Sequence, residues 1–454
     1  MSFTQDNLIP LVDHGLGNSA YLVDLGDGRA LAVDASRDLR SLRAAADARE
    51  LTVAFAADTH LHADFLSGAL QLAHDDNATV LASAAGARAF EHRGLRDGDE
   101  IDLGGLTLRT LATPGHTDEH ISFLLLDGSA ELGVFTGGSL IVGAAARTDL
   151  LGADRTEELT RAQYQSVRRL AGLPPETAVW PTHGAGSFCS APPGAERDST
   201  IGTELATNPL LAAPDADTFV RMLTASLGSY PAYFSRLTEA NRRGPGLLTG
   251  TPGLTALAPS RVAAMLADGA VAVDARPVAS FAAGHIPGAL SIPLRDVFAT
   301  WLGWLVDDGV PIIVITETGQ DLEDLAWQAA KTGQGPIAGV LHGGMAAWTA
   351  AGREAATVEL VTADQIANRR VVDVRQAAEH AARHIPRSLP IELGALSVHV
   401  ADVPDGAVVA CGHGERAMTG ASVLLRAGRH DIAVLDGGPD DWSRATGRKL
   451  EQGS

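Results

Sequence analysis

The sequence predicts an α/β protein of several domains, an N-terminal layered α+β or αββα sandwich followed by two tandem α/β domains, and three observations carry that prediction. The chain has 454 residues, which at roughly 100 to 200 residues per domain implies two to four separate cores. Its second half repeats itself. Its first half mixes strand-like segments with helical stretches, several of the strands following one another as hairpins rather than as strict βαβ units.

In the first half the strand-like segments are 20–25, 30–34, 53–57, 106–111, 121–126, 133–136 and 178–180, with helical stretches over 39–50 and 157–170. In the second half, Val273-Asp274-Ala275-Arg276 recurs as Val372-Asp373-Val374-Arg375. His285-Ile286-Pro287 and His384-Ile385-Pro386 follow at the same interval. Each copy then carries a β-branched strand, 311–315 and 407–410, and a helical pattern, 321–331 and 415–427. Each closes on a Gly-Gly pair before a tryptophan, Trp348 and Trp442. The turn-forming run Gly244-Pro245-Gly246 through Gly250-Thr251-Pro252-Gly253 reads as a linker. The expected division is therefore a first domain over 1–245, a linker over 246–259, and α/β domains over 260–355 and 358–454.

Composition narrows the function. A formal net charge of −20 repels phosphate backbones and anionic headgroups, so neither nucleic acid nor a membrane surface is an expected partner. Two cysteines, Cys189 and Cys411, cannot build a disulfide framework, and the N-terminal residues lack a basic stretch followed by an apolar run. A cytoplasmic location is expected. A homo-oligomer is left open.

Chemistry-bearing residues cluster in loops. Asp58-Thr59-His60-Leu61-His62-Ala63-Asp64-Phe65 follows an apolar strand. Residues two apart on extended backbone face the same side, so His60 and His62 are expected to present imidazoles to one metal ion, with Asp64 nearby. His116, in Thr113-Pro114-Gly115-His116-Thr117, and His183, in Pro181-Thr182-His183-Gly184, sit in glycine-bearing turns after strands, where a sheet holds loop geometry steady.

These elements together resemble the metallo-β-lactamase fold. His183-Gly184-Ala185-Gly186-Ser187 with Ser199-Thr200-Ile201-Gly202 and Asn208-Pro209 is similar, more narrowly, to the persulfide dioxygenases and their relatives fused to rhodanese domains. Two departures stand out. Phe65 occupies the place of a histidine that helps hold a second metal, and Gly138, in Phe135-Thr136-Gly137-Gly138-Ser139, the place of a metal-binding Asp. A two-metal centre needs that bridging carboxylate, so a single ion held by His60, His62 and His116 is expected. The resemblance implies Fe(II) for it. Three neutral histidines also suit Zn(II), and a metal-free domain is the remaining alternative. Asp64, Asp149 and His183 are further candidates for the site or its surroundings, and the resemblance assigns His183 chiefly to the second metal position.

In the last domain Cys411-Gly412-His413-Gly414-Glu415-Arg416 leads from a strand directly into a helix. The inward amides of such a loop and the helix dipole stabilise an anion at the sulfur, and Arg416 adds a fixed positive charge for an incoming anion. With Asp373, Arg375 and the His-Ile-Pro element, this loop resembles that of a rhodanese. The resemblance implies a sulfurtransferase that carries sulfane sulfur as a Cys411 persulfide. The matching loop of the preceding copy reads Thr316-Glu317-Thr318-Gly319-Gln320-Asp321 and is expected to be catalytically silent, since threonine forms no persulfide.

The whole then resembles bacterial persulfide dioxygenase–sulfurtransferase fusions. The implied function is oxidation of a low-molecular-weight thiol persulfide to sulfite, coupled to sulfur transfer with thiosulfate or sulfite as co-substrates. The rivals are a zinc-dependent thioester hydrolase of the glyoxalase II type, and a metal-free first domain beside an active sulfurtransferase.

Overall fold

The computed structural model describes residues 4–189, 196–335 and 337–453. The chain divides into two compact units, Met1–Thr251 with Ala330–Gly333, and Pro252–Ala329 with Gln334–Ser454.

The first unit holds two six-stranded sheets. One runs in chain order through β1 (Leu8–Asp13), β2 (Asn18–Asp24), β3 (Arg29–Val33), β4 (Thr52–Ala57), β5 (Thr79–Ser83) and β6 (Arg93–Leu95). Its first three strands are antiparallel and the rest parallel. The other contains β7 (Glu100–Asp102), β8 (Leu106–Ala112), β9 (Ile121–Asp127), β10 (Ala130–Gly137), β11 (Ala178–Pro181) and β12 (Ser199–Thr200), in the order β12-β11-β10-β9-β8-β7.

Strand alternation makes the sandwich. Tyr21, Val23, Leu31 and Val33 from the first sheet join Leu108, Phe123, Leu125, Phe135 and Trp180 from the second in one inner core. Their neighbours point the other way. Leu22, Ala30, Ala32 and Val53 pack with Leu42, Ala46 and Leu72 of helices Arg40–Asp47 and Ala69–Asp76. On the far side Leu124, Leu126 and Val134 pack with Val167, Leu170, Phe219 and Leu223 of helices Thr156–Leu170 and Ala216–Ala225. The layers are therefore αββα, as expected. Strands such as Arg93–Leu95 and Glu100–Asp102 are too short to show a period and were not anticipated.

The second unit holds two five-stranded parallel sheets with one topology. The first contains β13 (Ala256–Leu257), β14 (Val271–Asp274), β15 (Leu290–Ser291), β16 (Ile312–Ile315) and β17 (Ile337–Leu341), ordered β13-β17-β16-β14-β15. The second contains β18 (Glu359–Val361), β19 (Val371–Asp373), β20 (Leu389–Pro390), β21 (Val408–Ala410) and β22 (Ala433–Leu435), ordered β18-β22-β21-β19-β20.

The repeated Asp-x-Arg motif closes a buried ring at the end of β14 and of β19. Arg276 Nη2 donates to Asp274 at 2.6 Å and to the Gly284 carbonyl at 2.7 Å; Arg375 Nη2 donates to Asp373 at 2.7 Å and to the Arg383 carbonyl at 2.8 Å. His285 stacks on Phe281 and His384 on His380, at 3.9 and 3.8 Å between ring centroids.

Candidate metal centre and sulfur-transfer loop

Three imidazoles meet in the loops at one end of the sandwich. One ligand atom from each of His60, His116 and His183 lies within 4.8 Å of the others. All three side chains are buried, and Nε2 of each is without a hydrogen-bond partner among the described residues.

The opposite nitrogens are engaged, which sets the tautomers. The Thr59 hydroxyl donates to Asp34 Oδ2 at 2.7 Å and so accepts from His60 Nδ1 at 2.9 Å. His116 Nδ1 donates to the Arg147 carbonyl at 2.6 Å, and His183 Nδ1 to Asn18 Oδ1 at 3.0 Å. Each ring therefore turns a lone pair on Nε2 toward its two neighbours. Burial, followed by the other histidines, holds His60 well below the usual range, and burial first of all takes His116 and His183 down to about 3. Neutral imidazoles with convergent lone pairs are the donor set of a metal site.

His62 stands beside His60 and leaves its Nδ1, rather than Nε2, without a hydrogen-bond partner among the described residues. Its Nε2 lies 3.1 Å from Asp34 Oδ1, and its ring stacks on Phe65 at 4.2 Å. Burial disfavours a charged imidazole there, but Asp34 outweighs it and raises His62, while Asp34 itself falls to about 2. The expected group of His60, His62 and His116 lies together, with His60 and His62 at 4.2 Å and His60 and His116 at 4.9 Å between ring centroids and His62 Nδ1 buried without a partner among the described residues, and His183 joins them from a further loop.

Asp64 lies beside His183. Its Oδ2 accepts from Asn18 Nδ2 at 2.7 Å and its Oδ1 has no partner among the described residues. Asp149 is not brought to the cluster by a free oxygen, because Arg147 Nε and Nη2 donate to its Oδ1 and Oδ2 at 2.7 and 2.8 Å.

Gly138 has a steric counterpart. A Cβ there would run into the His116 ring, so His116 fills the space a side chain would need. Its position is reinforced by Gln163, whose Oε1 accepts from the His116 amide at 2.8 Å and whose Nε2 donates to the carbonyls of Gly138 and Ser139. Gly115, at φ +145, lets the chain pass close against Gln163. His120 is spent differently: its Nε2 accepts from the Gly138 amide at 3.0 Å, which leaves Nδ1 to donate to Thr113.

Sequence reasoning missed the residues that orient this cluster. Asn18, Thr59, Arg147, Gln163 and Asn241 carry no spacing signal. Asn241 Nδ2 donates to the carbonyls of His62 and Phe65 at 2.7 and 2.8 Å. Asp34, just after β3 at φ 51, is likewise placed there by the fold.

In the last domain Cys411 directly follows β21, is 2% exposed, and accepts from the Gly414 amide at 3.1 Å. Gly414 starts helix Glu415–Arg426 at φ 93. Gly438 lies so close that a Cβ would strike the Gly412 carbonyl. Glu415 is half-buried and His413 exposed. The Arg416 guanidinium, expected to face an incoming anion, donates to both oxygens of Glu379, at 2.6 and 2.8 Å. Burial pushes Glu379 up, but Arg416 wins and holds it below the ordinary carboxylate range.

A family model described as the metallo-beta-lactamase superfamily matches residues 14–183, and one described as a rhodanese-like domain matches 258–351 and 358–445. Persulfide dioxygenase ETHE1, mitochondrial, of Homo sapiens is 31% identical over 176 residues, covering 38% of this chain and 62% of that protein. The chain thus spans under two thirds of that relative. Hydroxyacylglutathione hydrolase of Acidiphilium cryptum (strain JF-5) is 31% identical over 249 residues, covering 48% of this chain and 91% of that protein. A crystal structure of a metallo-beta-lactamase from Staphylococcus aureus subsp. aureus COL superposes with a TM-score of 0.66 at 29% identity, covering 73% of this chain and 98% of that one. No helix among the described residues is long and apolar enough to cross a membrane. The chain belongs to the metallo-beta-lactamase superfamily and joins its lactamase-like domain to two rhodanese-like domains.

Proposed function

We propose that the chain oxidises a low-molecular-weight thiol persulfide to sulfite in its first domain and transfers sulfane sulfur through Cys411 in its last. The observation that carries this reading is the convergence of three buried, unpartnered imidazole nitrogens in a chain that also bears a cysteine loop of rhodanese type. The overall change balances as persulfide, O₂ and water giving thiol, sulfite and two protons.

His60, His116 and His183 would hold one Fe(II). When bound, it supplies open coordination positions for the persulfide sulfur and for O₂. The protein's own part is orientation: Thr59, Arg147 and Asn18 keep the Nε2 lone pairs inward, and burial keeps bulk water out. Asp34 holds the proton on His62 Nε2. At the second centre Cys411 attacks the outer sulfur of thiosulfate, the S–S bond breaks, and sulfite leaves. An acceptor thiol then takes the sulfur from the Cys411 persulfide. Sulfite from the first centre can run this step backwards to thiosulfate, which is the chemical sense of the fusion.

The test is metal content with oxygen uptake. Purified protein should carry at most one transition-metal ion per chain, released in His60→Ala and in His116→Ala. Persulfide-dependent oxygen consumption should vanish with the ion while thiosulfate:cyanide transfer persists. Two ions per chain, or no oxygen uptake after anaerobic Fe(II) loading, would overturn the first half of the proposal.

A second reading, thioester hydrolysis with Zn(II), draws support from the 91% coverage of the hydroxyacylglutathione hydrolase and from the suitability of three neutral histidines for zinc. Zinc content with hydrolysis of a glutathione thioester, and no oxygen uptake, would select it.

A further inference from the structure

The first rhodanese-like domain keeps a cavity beside the loop in which Thr316 stands at the cysteine's place. The cavity measures about 460 Å³, within the range of small-molecule sites. Polar Thr316, Glu317 and Arg276 share its wall with apolar Leu322, Val340 and Met345. Leu322 is 41% exposed, so the cavity offers an apolar surface as well as charges.

The backbone of this loop is poorly equipped to hold a simple anion. The Glu317 amide donates to Gln320 Oε1 at 2.9 Å, and the Glu323 and Asp324 amides, at the start of helix Leu322–Lys331, donate to Asp321 Oδ1 at 2.9 and 3.0 Å. Gln320 Nε2 donates to the Ala275 carbonyl at 2.7 Å, which fixes the loop to the residue after β14. The side-chain groups left over are of opposite sign. Glu317 Oε2 accepts from Ser280 Oγ at 2.8 Å, which leaves Oε1. Arg276 is 6% exposed and spends Nε and Nη2 on Asp274 and on the Gly284 carbonyl, while its Nη1 has no hydrogen-bond partner among the described residues. A nitrogen left unspent on a buried guanidinium that lines a cavity calls for an acceptor.

We infer that this cavity binds a small zwitterion of the amino-acid class, its carboxylate on Arg276 Nη1, its ammonium on Glu317, and its side chain against Leu322, Val340 and Met345. Charge selects the class. Asp274 already neutralises Arg276, so Glu317 leaves one negative charge in excess and a lone carboxylate is repelled. A simple cation answers Glu317 but leaves Nη1 without an acceptor. A ligand that carries both charges on neighbouring atoms satisfies both groups, and an apolar side chain covers the rest of the wall. The site uses no group of the histidine cluster and none of the Cys411 loop, so it stands apart from the function proposed above.

The test is isothermal titration calorimetry of the full-length protein with L-methionine and two relatives of it, N-acetylmethionine, which lacks the ammonium, and methioninol, which lacks the carboxylate. Methionine should bind saturably, one per chain, and each relative about tenfold more weakly or worse. Glu317→Gln, at an exposed position, should weaken methionine by about tenfold and leave N-acetylmethionine unchanged. Ala346→Trp puts an indole into the cavity from an exposed position on its wall. It should abolish methionine binding while thiosulfate:cyanide transfer through Cys411 continues. No saturable heat at millimolar methionine, equal binding of either relative, or unchanged affinity in both variants would overturn the site. Absence of oxygen uptake or of sulfur transfer in the unaltered protein would leave this calorimetric readout untouched, so failure of the proposed function and failure of this site are told apart.

Discussion

The two rhodanese-like regions share a scaffold almost element for element and differ where chemistry would occur. Both sheets follow one strand order. Both bury the same Asp–Arg pair and the same stacked histidine. Gly319 and Gly414 even share φ 93, so the loop keeps its left-handed turn in both copies. The contents of the loop diverge together. Where one copy has Cys411 and an Arg416–Glu379 pair, the other has Thr316, exposed Asp321, and Ser280 donating to Glu317 at 2.8 Å. In the copy without the cysteine Gln320 Oε1 accepts from the Glu317 amide at 2.9 Å, so the loop's own side chain occupies one of its amides. A cavity of about 460 Å³, lined in part by Thr316, Glu317 and His342, lies over it. The difference teaches that the scaffold and the contents of the loop are specified by separate residues.

The largest effect that would break the comparison is loss of the thiol. Cys411→Ser should abolish thiosulfate:cyanide sulfur transfer, whereas Cys189→Ser should keep most of it. An active Cys411→Ser protein would mean that the loops are not divided as described. Next comes the scaffold. Removing one partner of a buried ion pair costs about 3–5 kcal/mol, so Asp274→Asn and Asp373→Asn should lower denaturant midpoints of the second unit by similar, large amounts. A large effect in one copy and none in the other would show that only one scaffold depends on its pair.

A smaller effect probes Arg416. Because Glu379 neutralises it, Glu379→Gln should free the guanidinium for anionic donors and lower the KM for thiosulfate about two- to fivefold, the worth of roughly 0.5–1 kcal/mol for a partly exposed pair. The depressed Glu379 carboxyl keeps that pair formed at neutral pH, and the pair weakens only as pH falls through its folded-state pKa. An increased KM in the variant would assign Glu379 to holding Arg416 in place instead.

The same contrast explains what was legible beforehand. The sandwich and the repeat were readable because alternation and a hundred-residue self-similarity are local signals. Cys411, His60 and His116 were readable because each sits at a strand end among glycines or beside a second histidine. Asn18 was not, because it reaches Asp64 across 46 residues and His183 across 165. Glu379 reaches Arg416 across 37. Such partners are chosen by packing, and no spacing rule announces them. Cys189 carried no motif at all and is set beside Asp64 and His183 by the tertiary fold.

The smallest expected effect sharpens the comparison most. Thr316→Cys in a Cys411→Ser background should show no sulfur transfer, although it restores the nucleophile on a backbone that already turns correctly at Gly319. The obstacle is charge. Glu317 and Asp321 would flank the new thiol and disfavour its thiolate, and the guanidinium that Glu379 holds beside Cys411 has no counterpart, since Asp321 stands at that place. Adding Glu317→Gly, Asp321→Arg and Ser280→Glu to Thr316→Cys removes both carboxylates and rebuilds the pair, and should bring transfer up to a measurable rate. Turnover in the single variant would show that the acidic loop is no barrier. Silence in the combined variant, with its fold intact by circular dichroism, would place the difference between the copies outside the loop.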